Sequence, residues 1–195
     1  MGIKYFNRNN HSCTMEIEKP LPKPTSEEYV NARLLESLVE ASLAIKFLKD
    51  GLVRNAAGKA FQAWRALLAA LLRLELDKLT QLAKTEEDRK WLMEKAVPRI
   101  PTSRMKSLSQ LLEQIGYSSI SFATDTALNL HDYQYNGPDP DMALSKYRNR
   151  EEAAVDIRLL LGEVVRLING LKSKVKWSDE LEKEFSELKN RLNLS

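Results

Sequence analysis

The stretch GLVRNAAGKAFQAWRALLAALL, residues 51–72, decides the fold class of this chain. Its large apolar side chains recur at helical spacing and are interleaved with alanine. They are Phe61, Trp64, Leu67, Leu68, Leu71 and Leu72. Polar residues form one narrow stripe, with Asn55, Lys59, Gln62 and Arg73 on it and Arg54 and Arg65 beside it. The pattern predicts a central α-helix from about Val53 to Leu76, which neighbouring helices approach closely through its small residues.

Similar helical patterns extend on both sides of this segment. Upstream, apolar residues recur at spacings of three and four between Val30 and Leu48, with Gly51 as the expected stop. This upstream helix begins after Thr25 or Ser26 as its N-cap. The other predicted helices run from Glu86 to Lys95, from Thr102 or Ser103 to Gly116, from a capping box of Asn149 and Glu152, and from Ser178.

The segment from Tyr117 to Tyr135 permits two interpretations. Residues 118–122, SSISF, are compatible with a short strand. Downstream, however, Asp125, Asn129 and Asp132 would share one face of a helix, so we predict a helix. The sequence NGPDPD, residues 136–141, then predicts a break.

Composition is that of a folded protein without a strong charge. The chain has 195 residues, 43% of them hydrophobic and 29% charged, and a formal net charge of +3. This charge is too small to predict nucleic-acid binding by global electrostatics. We predict one helical domain over residues 25–195 and an extended arm over residues 1–24, because Pro20, Pro22 and Pro24 disfavour regular structure. Met15 is an alternative start.

Three features of the sequence bear on the cellular compartment. Its longest apolar run, residues 66–72, is far shorter than the roughly 20 residues that a membrane-spanning helix needs. The polar first residues do not form a secretory signal. Cys13 is the only cysteine, so no internal disulfide is possible. We therefore predict a cytoplasmic protein without a membrane partner.

Two stretches carry a family resemblance. They are residues 51–72 after a capped amphipathic helix, and HDYQYNGP, residues 131–138, followed by Tyr147, Arg148, Arg150, Glu151, Glu152 and Ala153. Together they resemble the archaeal PaREP family, relatives of the HEPN (higher eukaryote and prokaryote nucleotide-binding) helical bundles, over about residues 26–172. The resemblance implies an all-α, HEPN-like antiparallel helical bundle, with extra C-terminal helices and the N-terminal arm, that forms a homodimer.

The resemblance also bears on activity. HEPN ribonucleases and toxins carry an arginine that is separated from a histidine by four to six intervening residues, and some extend the motif to His-x-Tyr. His131 and Tyr133 match the second part, whereas Thr124, Asp125 and Thr126 stand at the positions of the arginine. At the corresponding positions before His11 stand Lys4, Tyr5 and Phe6. RNA cleavage needs a cation that stabilises developing charge on phosphate, so the sequence favours a protein that is not an enzyme.

We therefore predict a noncatalytic dimeric binding or interaction module for a nucleotide, RNA or protein partner. Its surface would contain His131, Tyr133, Tyr135, Asn136, Tyr147, Arg148 and Arg150. One alternative is a HEPN-type ribonuclease or toxin component whose displaced arginine is Arg148 or Arg150, and another is a structural oligomer. No cofactor is predicted. Asp125, His131 and Asp132 do not predict a metal site, because the two aspartates lie two turns apart and no second histidine is near, which favours a solvated polar face.

Two further residue groups are open to a structural or a functional interpretation. His131 is expected to be a structural histidine that stacks on Tyr135 one turn later. The basic run of Lys172, Lys174 and Lys176 beside Trp177 fits either a phosphate-binding patch or a solvated loop.

Overall fold

The computed structural model describes residues 21–26 and 28–193, and within them every regular element is a helix. The α-helices are α1 (Glu28–Lys49), α2 (Val53–Leu74), α3 (Leu76–Leu82), α4 (Glu86–Trp91), α5 (Val97–Arg99), α6 (Met105–Gln114), α7 (Ile120–Asn136), α8 (Arg150–Leu171) and α9 (Asp179–Leu192). This confirms the all-α prediction. Most of the predicted arm, with Cys13 and Met15, lies outside the described residues, as does His11.

Helix α2 is central, as its alanine-rich sequence predicted. It packs against α1 along its length and also against α7 and α8. Trp64 is fully buried and donates a hydrogen bond from Nε1 to Oγ1 of Thr124 in α7, at 3.0 Å. The buried side chains of these four helices, together with those of α6 and α9, form one connected hydrophobic core. Small residues on α2 thus allow several helices to share it.

Three of the predicted helix ends are built as the sequence indicated. Gly51 has a φ of 74°, and the N–H of Leu52 bonds to the carbonyl of Phe47 at 2.8 Å, which closes α1 in a Schellman-type end. Asn149 caps α8 by accepting from the N–H of Glu152 at 2.9 Å. Ser178 caps α9 in the same way.

Helix α2 ends two residues earlier than predicted, and α3 was not predicted. The chain bends at Glu75, a carboxylate that is 5% exposed. The hydroxyl of Tyr117 donates to it at 2.7 Å, and Lys78 bonds to it at 2.5 Å. Burial of this charge depends on a hydrogen bond from Tyr117, which is distant in the sequence. The local pattern therefore did not indicate a bend at Glu75.

The helix that begins at Glu86 continues beyond its predicted end at Lys95. A π-helical turn, Leu92–Ala96, leads directly into α5, which contains Pro98, and Ile100 ends it with a φ of 42°. The wider turn accommodates a residue that has no N–H to donate. The segment from Tyr117 to Tyr135 is mainly helical, as predicted, but α7 starts at Ile120 rather than at Tyr117.

Among the described residues, no helix combines the length and the apolar character required to cross a bilayer.

Candidate functional site

A polar groove lies between the first half of α2 and the end of α7. Its volume is about 600 Å³, and α1 contributes one wall. The lining residues are Phe47, Arg54, Asn55, Gly58, Lys59, Gln62, Gln134 and Tyr135. The lining residues from α2 repeat at helical spacing, so the polar stripe seen in the sequence forms the floor of the groove.

His131 stands next to this groove on the inner side of α7. Its imidazole stacks on Phe61 with ring centroids 4.1 Å apart, and it meets Tyr135 edge-on at 5.3 Å. The side-chain amide nitrogen of Gln134 lies 2.6 Å from its Nδ1. An amide nitrogen only donates, so Nδ1 accepts this bond and the neutral ring carries its hydrogen on Nε2. The predicted contact with Tyr135 is confirmed, and Phe61 is an unpredicted second partner.

The electrostatic surroundings keep His131 neutral at physiological pH. Burial lowers the pKa of the imidazole, Asp132 opposes that effect, and the positive charge of Arg65 lowers it further. The net shift is downward from 6.5. The positive charge that contributes to this shift comes from Arg65 on α2 and not from the preceding turns of α7.

Gly58 leaves space on α2 for a side chain of α7. A Cβ atom at this position would lie 2.3 Å from Oε1 of Gln134. The glycine therefore makes room for the Gln134 side chain, which in turn contacts His131. The sequence showed the glycine but not its partner.

Arg54 closes the end of α7. Its guanidinium donates to the carbonyl of Gln134 at 3.0 Å and to that of Tyr135 at 2.5 Å. Carbonyls in the last turn of a helix lack partners within the helix, and a cation there also interacts favourably with the helix dipole. Arg54 thus both lines the groove and fixes the helix that forms its opposite wall.

Lys59 is the second cation of the groove, and it is partly neutralised. Its Nζ lies 2.8 Å from a carboxylate oxygen of Glu40 in α1, and about a third of the lysine side chain stays exposed. Arg65, one helical turn beyond Gln62, instead donates to the carbonyls of Arg99 at 2.6 Å and Ile100 at 3.2 Å. Arg54 and Arg65 bond to neutral carbonyls and so keep their positive charge, whereas the charge of Lys59 is offset by Glu40.

Tyr133 and Tyr147 lie in the core and not on the surface that the sequence predicted. They are 1% and 5% exposed, and their rings meet edge-to-face at 5.5 Å. The hydroxyl of Tyr147 donates to Asp156 at 2.8 Å. Burial followed by the Asp156 carboxylate raises the pKa of Tyr147, and burial raises that of Tyr133. The helical spacing explains this, because position 133 is two residues from His131 and thus faces another side of α7.

The remaining predicted residues are exposed but point to different places. Asn136 donates to the carbonyls of Asp132 and Leu144, both at 3.0 Å, and thereby holds the loop before α8. Nε of Arg148 contacts the sulfur of Met142, and Nε of Arg150 bonds to Glu151 at 2.9 Å. Of the seven predicted residues, His131 and Tyr135 are the pair that meets at the groove.

Comparison with protein families decides the affiliation. The model of the archaeal PaREP1/PaREP8 family matches residues 32–158, more than half of the chain. The chain belongs to the archaeal PaREP1/PaREP8 family. No curated protein and no solved structure matches it significantly. The matched region contains both α2 and α7, so the groove of this PaREP1/PaREP8 protein lies within the family portion.

The positions where a HEPN ribonuclease would carry arginine have structural roles in this PaREP1/PaREP8 protein. Thr124 is fully buried and bonds to Trp64. Asp125 forms an ion pair with Lys106 of α6. Within residues 21–26 and 28–193, no three His, Cys, Asp or Glu side chains are grouped so that they could hold a metal ion.

The basic run beside Trp177 is mainly engaged within the chain. Lys172 bonds to Glu182 at 2.7 Å and lies over the rings of Trp177 and Phe185. Lys174 lies over Tyr117, 3.7 Å from the Glu75 carboxylate. These contacts favour a structural role for two of the three lysines.

Sequence reasoning missed most of the groove. Arg54, Asn55, Lys59 and Gln62 were recognised as a polar stripe but not as a site, and Gln134 was not singled out. The available signal was the presence of long polar side chains and a glycine in one half of an otherwise apolar central helix. Pairing this stripe with the end of α7 requires the tertiary structure.

Proposed function

We propose that this protein binds a nucleotide or a single-stranded RNA segment in the α2–α7 groove without cleaving it. One observation carries the proposal: Tyr135, 67% exposed, lies on a groove that also contains Lys59 and Arg54. An exposed aromatic ring beside cations suits stacking of a base and contact with phosphate.

The other side chains of the groove support the same ligand class. Asn55, Gln62 and Gln134 carry amide groups that both donate and accept. Such groups recognise the edges of unpaired bases. Glu40 limits the positive charge, so the expected affinity is modest.

The contacts of His131 favour binding over catalysis. Phe61 and Tyr135 fix the ring, and Gln134 occupies Nδ1, so only Nε2 is left to act on a substrate. Arg65, the cation whose charge lowers its pKa, is already bonded to two carbonyls. Arg148 and Arg150, the substitutes that the sequence suggested, bond elsewhere.

A second candidate function, a HEPN-type ribonuclease, is favoured by one observation. The positive charge of Arg65 on α2 lowers the pKa of His131, so Arg65 is a further candidate for the displaced arginine of such a ribonuclease. In either case we place the protein in the cytoplasm as a homodimer with a HEPN-like bundle. The single cysteine, Cys13, suits a reducing compartment.

Fluorescence polarisation with labelled oligoribonucleotides tests the binding. We expect wild-type protein to bind and the affinity to fall with salt, with a logarithmic slope of about 0.7 per phosphate contact. Tyr135→Ala should weaken binding by about 1–3 kcal/mol, the usual value of one base stacked on an aromatic ring. Glu40→Gln should strengthen it, because Lys59 then loses its neutralising partner. The exposed Lys183→Ala in α9 is the matched control for Lys59→Ala.

The outcomes separate the two candidates. Absence of binding, or binding that neither Tyr135→Ala nor Lys59→Ala weakens, contradicts the groove proposal. Cleavage of the RNA that His131→Ala abolishes, in protein whose circular dichroism is unchanged, contradicts the noncatalytic proposal and supports the ribonuclease.

A further inference from the structure

A second cavity, the arginine pocket, lies between α1, α2 and the end of α5. Its volume is about 390 Å³, which is within the usual range for small-molecule sites. The charged residues that line it are Arg33 and Glu36 from α1, Arg65 from α2 and Arg99 from α5. The other lining residues are Gln62, Ala66, Pro98 and Ile100. Three guanidinium groups thus surround one cavity together with a single carboxylate.

The single carboxylate offsets one of these three positive charges. Nη1 of Arg33 bonds to Glu36 at 2.7 Å. Arg65 instead donates from Nε and Nη2 to backbone carbonyls, which are neutral groups. The exposed side chain of Arg99 has no hydrogen bond or ion pair with any residue that the structure describes. Two positive charges of the pocket therefore remain without a negative partner among the described residues.

Hydrogen bonds hold two of the guanidinium groups in place without a ligand. Tyr29 is fully buried and donates from its hydroxyl to the carbonyl of Val97 at 2.9 Å. The same hydroxyl accepts from Nε of Arg33 at 3.0 Å. Arg65 binds the carbonyl of Arg99 at 2.6 Å from the opposite side, on α2. Because these bonds already order the side chains, a ligand would bind them at a small cost in conformational entropy.

The chemistry of the pocket favours a doubly charged phosphate. Guanidinium groups present paired N–H donors that match the oxygens of a phosphate. Nη1 of Arg65 and the guanidinium of Arg99 keep N–H groups that no described residue accepts. A phosphate monoester carries a charge of about −1.5 to −2 at pH 7. It would balance the two remaining positive charges, whereas a carboxylate or a phosphodiester, each with a single negative charge, would not.

We propose that the arginine pocket is a binding site for a phosphate monoester dianion. Two sources of this group fit the structure. Gln62 lines both the pocket and the α2–α7 groove, so the two cavities adjoin along α2. The phosphate is therefore either the terminal phosphate of the nucleotide or RNA in the groove, or that of a small free phosphate ester. The site itself does not depend on the proposed function of the groove.

Titration of the full chain with inorganic phosphate, followed by NMR at constant ionic strength and mildly alkaline pH, tests the pocket alone. We expect saturable shifts of the Nε–H signals of Arg65 and Arg99. Arg99→Gln should weaken phosphate binding about tenfold, because it removes a charged donor. It should leave the fold intact, since no described residue bonds to that side chain. The exposed Arg158→Gln in α8 is the matched control and should change neither.

A second variant should increase the affinity. Glu36→Gln removes the carboxylate that offsets Arg33, so phosphate should bind more tightly. Absence of saturable binding, an equal response to chloride, or an Arg99→Gln affinity equal to that of the wild type overturns the proposal. An affinity that Glu36→Gln leaves unchanged counts against it equally.

Oligoribonucleotides of one sequence with a 5′-phosphate, a 3′-phosphate or only hydroxyl ends distinguish the two sources. If the pocket takes the terminal phosphate of RNA, one phosphorylated end should bind about tenfold more tightly than hydroxyl ends, and Arg99→Gln should remove this gain. Equal affinities for all three, with inorganic phosphate still bound, identify a free phosphate ester as the ligand.

The same measurements separate this site from the groove. Phosphate binding that depends on Arg99, in a chain that binds no RNA, removes only the groove function. RNA binding that depends on Tyr135, in a chain that binds no phosphate, removes only the arginine pocket.

Discussion

The imidazole of His131 stacks on the ring of Phe61, with centroids 4.1 Å apart and planes inclined by 29°. Phe61 belongs to the central helix α2 and His131 to α7, so the stack joins the two helices that form the groove. The arrangement buries part of the imidazole and sets its protonation.

The lowered pKa of His131 predicts that acid destabilises the protein through this residue. The unfolded chain takes up a proton near pH 6.5, whereas the folded protein resists protonation until a lower pH. The contribution of His131 to stability is therefore complete above pH 6.5 and is lost as the pH falls through and below that value. Titration of the imidazole by NMR in a His11→Ala background should give a midpoint below 6.5.

A non-titrating variant serves as the control for this pH dependence. His131→Gln should unfold with a shallower loss of melting temperature than the wild type between about pH 7 and pH 5. Identical slopes for the two proteins would mean that His131 has an ordinary pKa.

The two helix-interior glycines Gly58 and Gly162 should respond differently to alanine. Gly162→Ala should stabilise the folded chain by about 1 kcal/mol, because the added Cβ meets nothing in the described residues. Gly58→Ala gains the same helix propensity but forces Gln134 away from Gly58, which removes the amide from His131 and should raise the pKa of the imidazole. Urea denaturation of Gly162→Ala and of the wild type measures the first effect. Equal gains at both sites with an unchanged His131 titration would contradict this.

Arg54→Ala should loosen the end of α7. The carbonyls of Gln134 and Tyr135 lose their charged donor, at a cost of about 1 kcal/mol for exposed groups that water can reach. Hydrogen exchange of the amide of Gly137, which bonds to Tyr133 at 2.7 Å, should accelerate. Lys59→Ala, on the same stripe but without a carbonyl partner in the described residues, should leave that exchange rate unchanged.

Tyr147→Phe should destabilise the protein by about 1–2 kcal/mol. The substitution leaves the carboxylate of Asp156 without the hydroxyl that donates to it at 2.8 Å. The edge-to-face contact with Tyr133 is retained, so the loss of stability measures the contribution of the hydrogen bond. Tyr135→Phe, at the exposed end of α7, is the matched control and should change stability by less than about 0.5 kcal/mol. Equal melting temperatures for the two variants would show that the buried hydroxyl contributes nothing.

The sequence predicted where α2, α8 and α9 begin, because each follows a recognisable stop or cap and then shows a helical apolar period. It missed the bend at Glu75, since that carboxylate is stabilised by Tyr117, Lys78 and Lys174 at a distance along the chain or across a turn. It also placed Tyr133 and Tyr147 on the surface, because both have polar neighbours in the sequence, at the end of α7 and in the loop before α8. Those neighbours do not indicate that the two rings turn inward.

By itself, the sequence determined that this chain forms helices, which of their faces are apolar, and that the arginine of a HEPN nuclease motif is missing. Those are properties of residues within a few turns of one another, where periodicity and capping act. Only the tertiary structure decided that the polar stripe of α2 faces the end of α7 and that the rings of Tyr133 and Tyr147 lie in the core. Such pairings depend on how the helices pack around a shared core, and neighbours in space leave no fixed spacing along the chain.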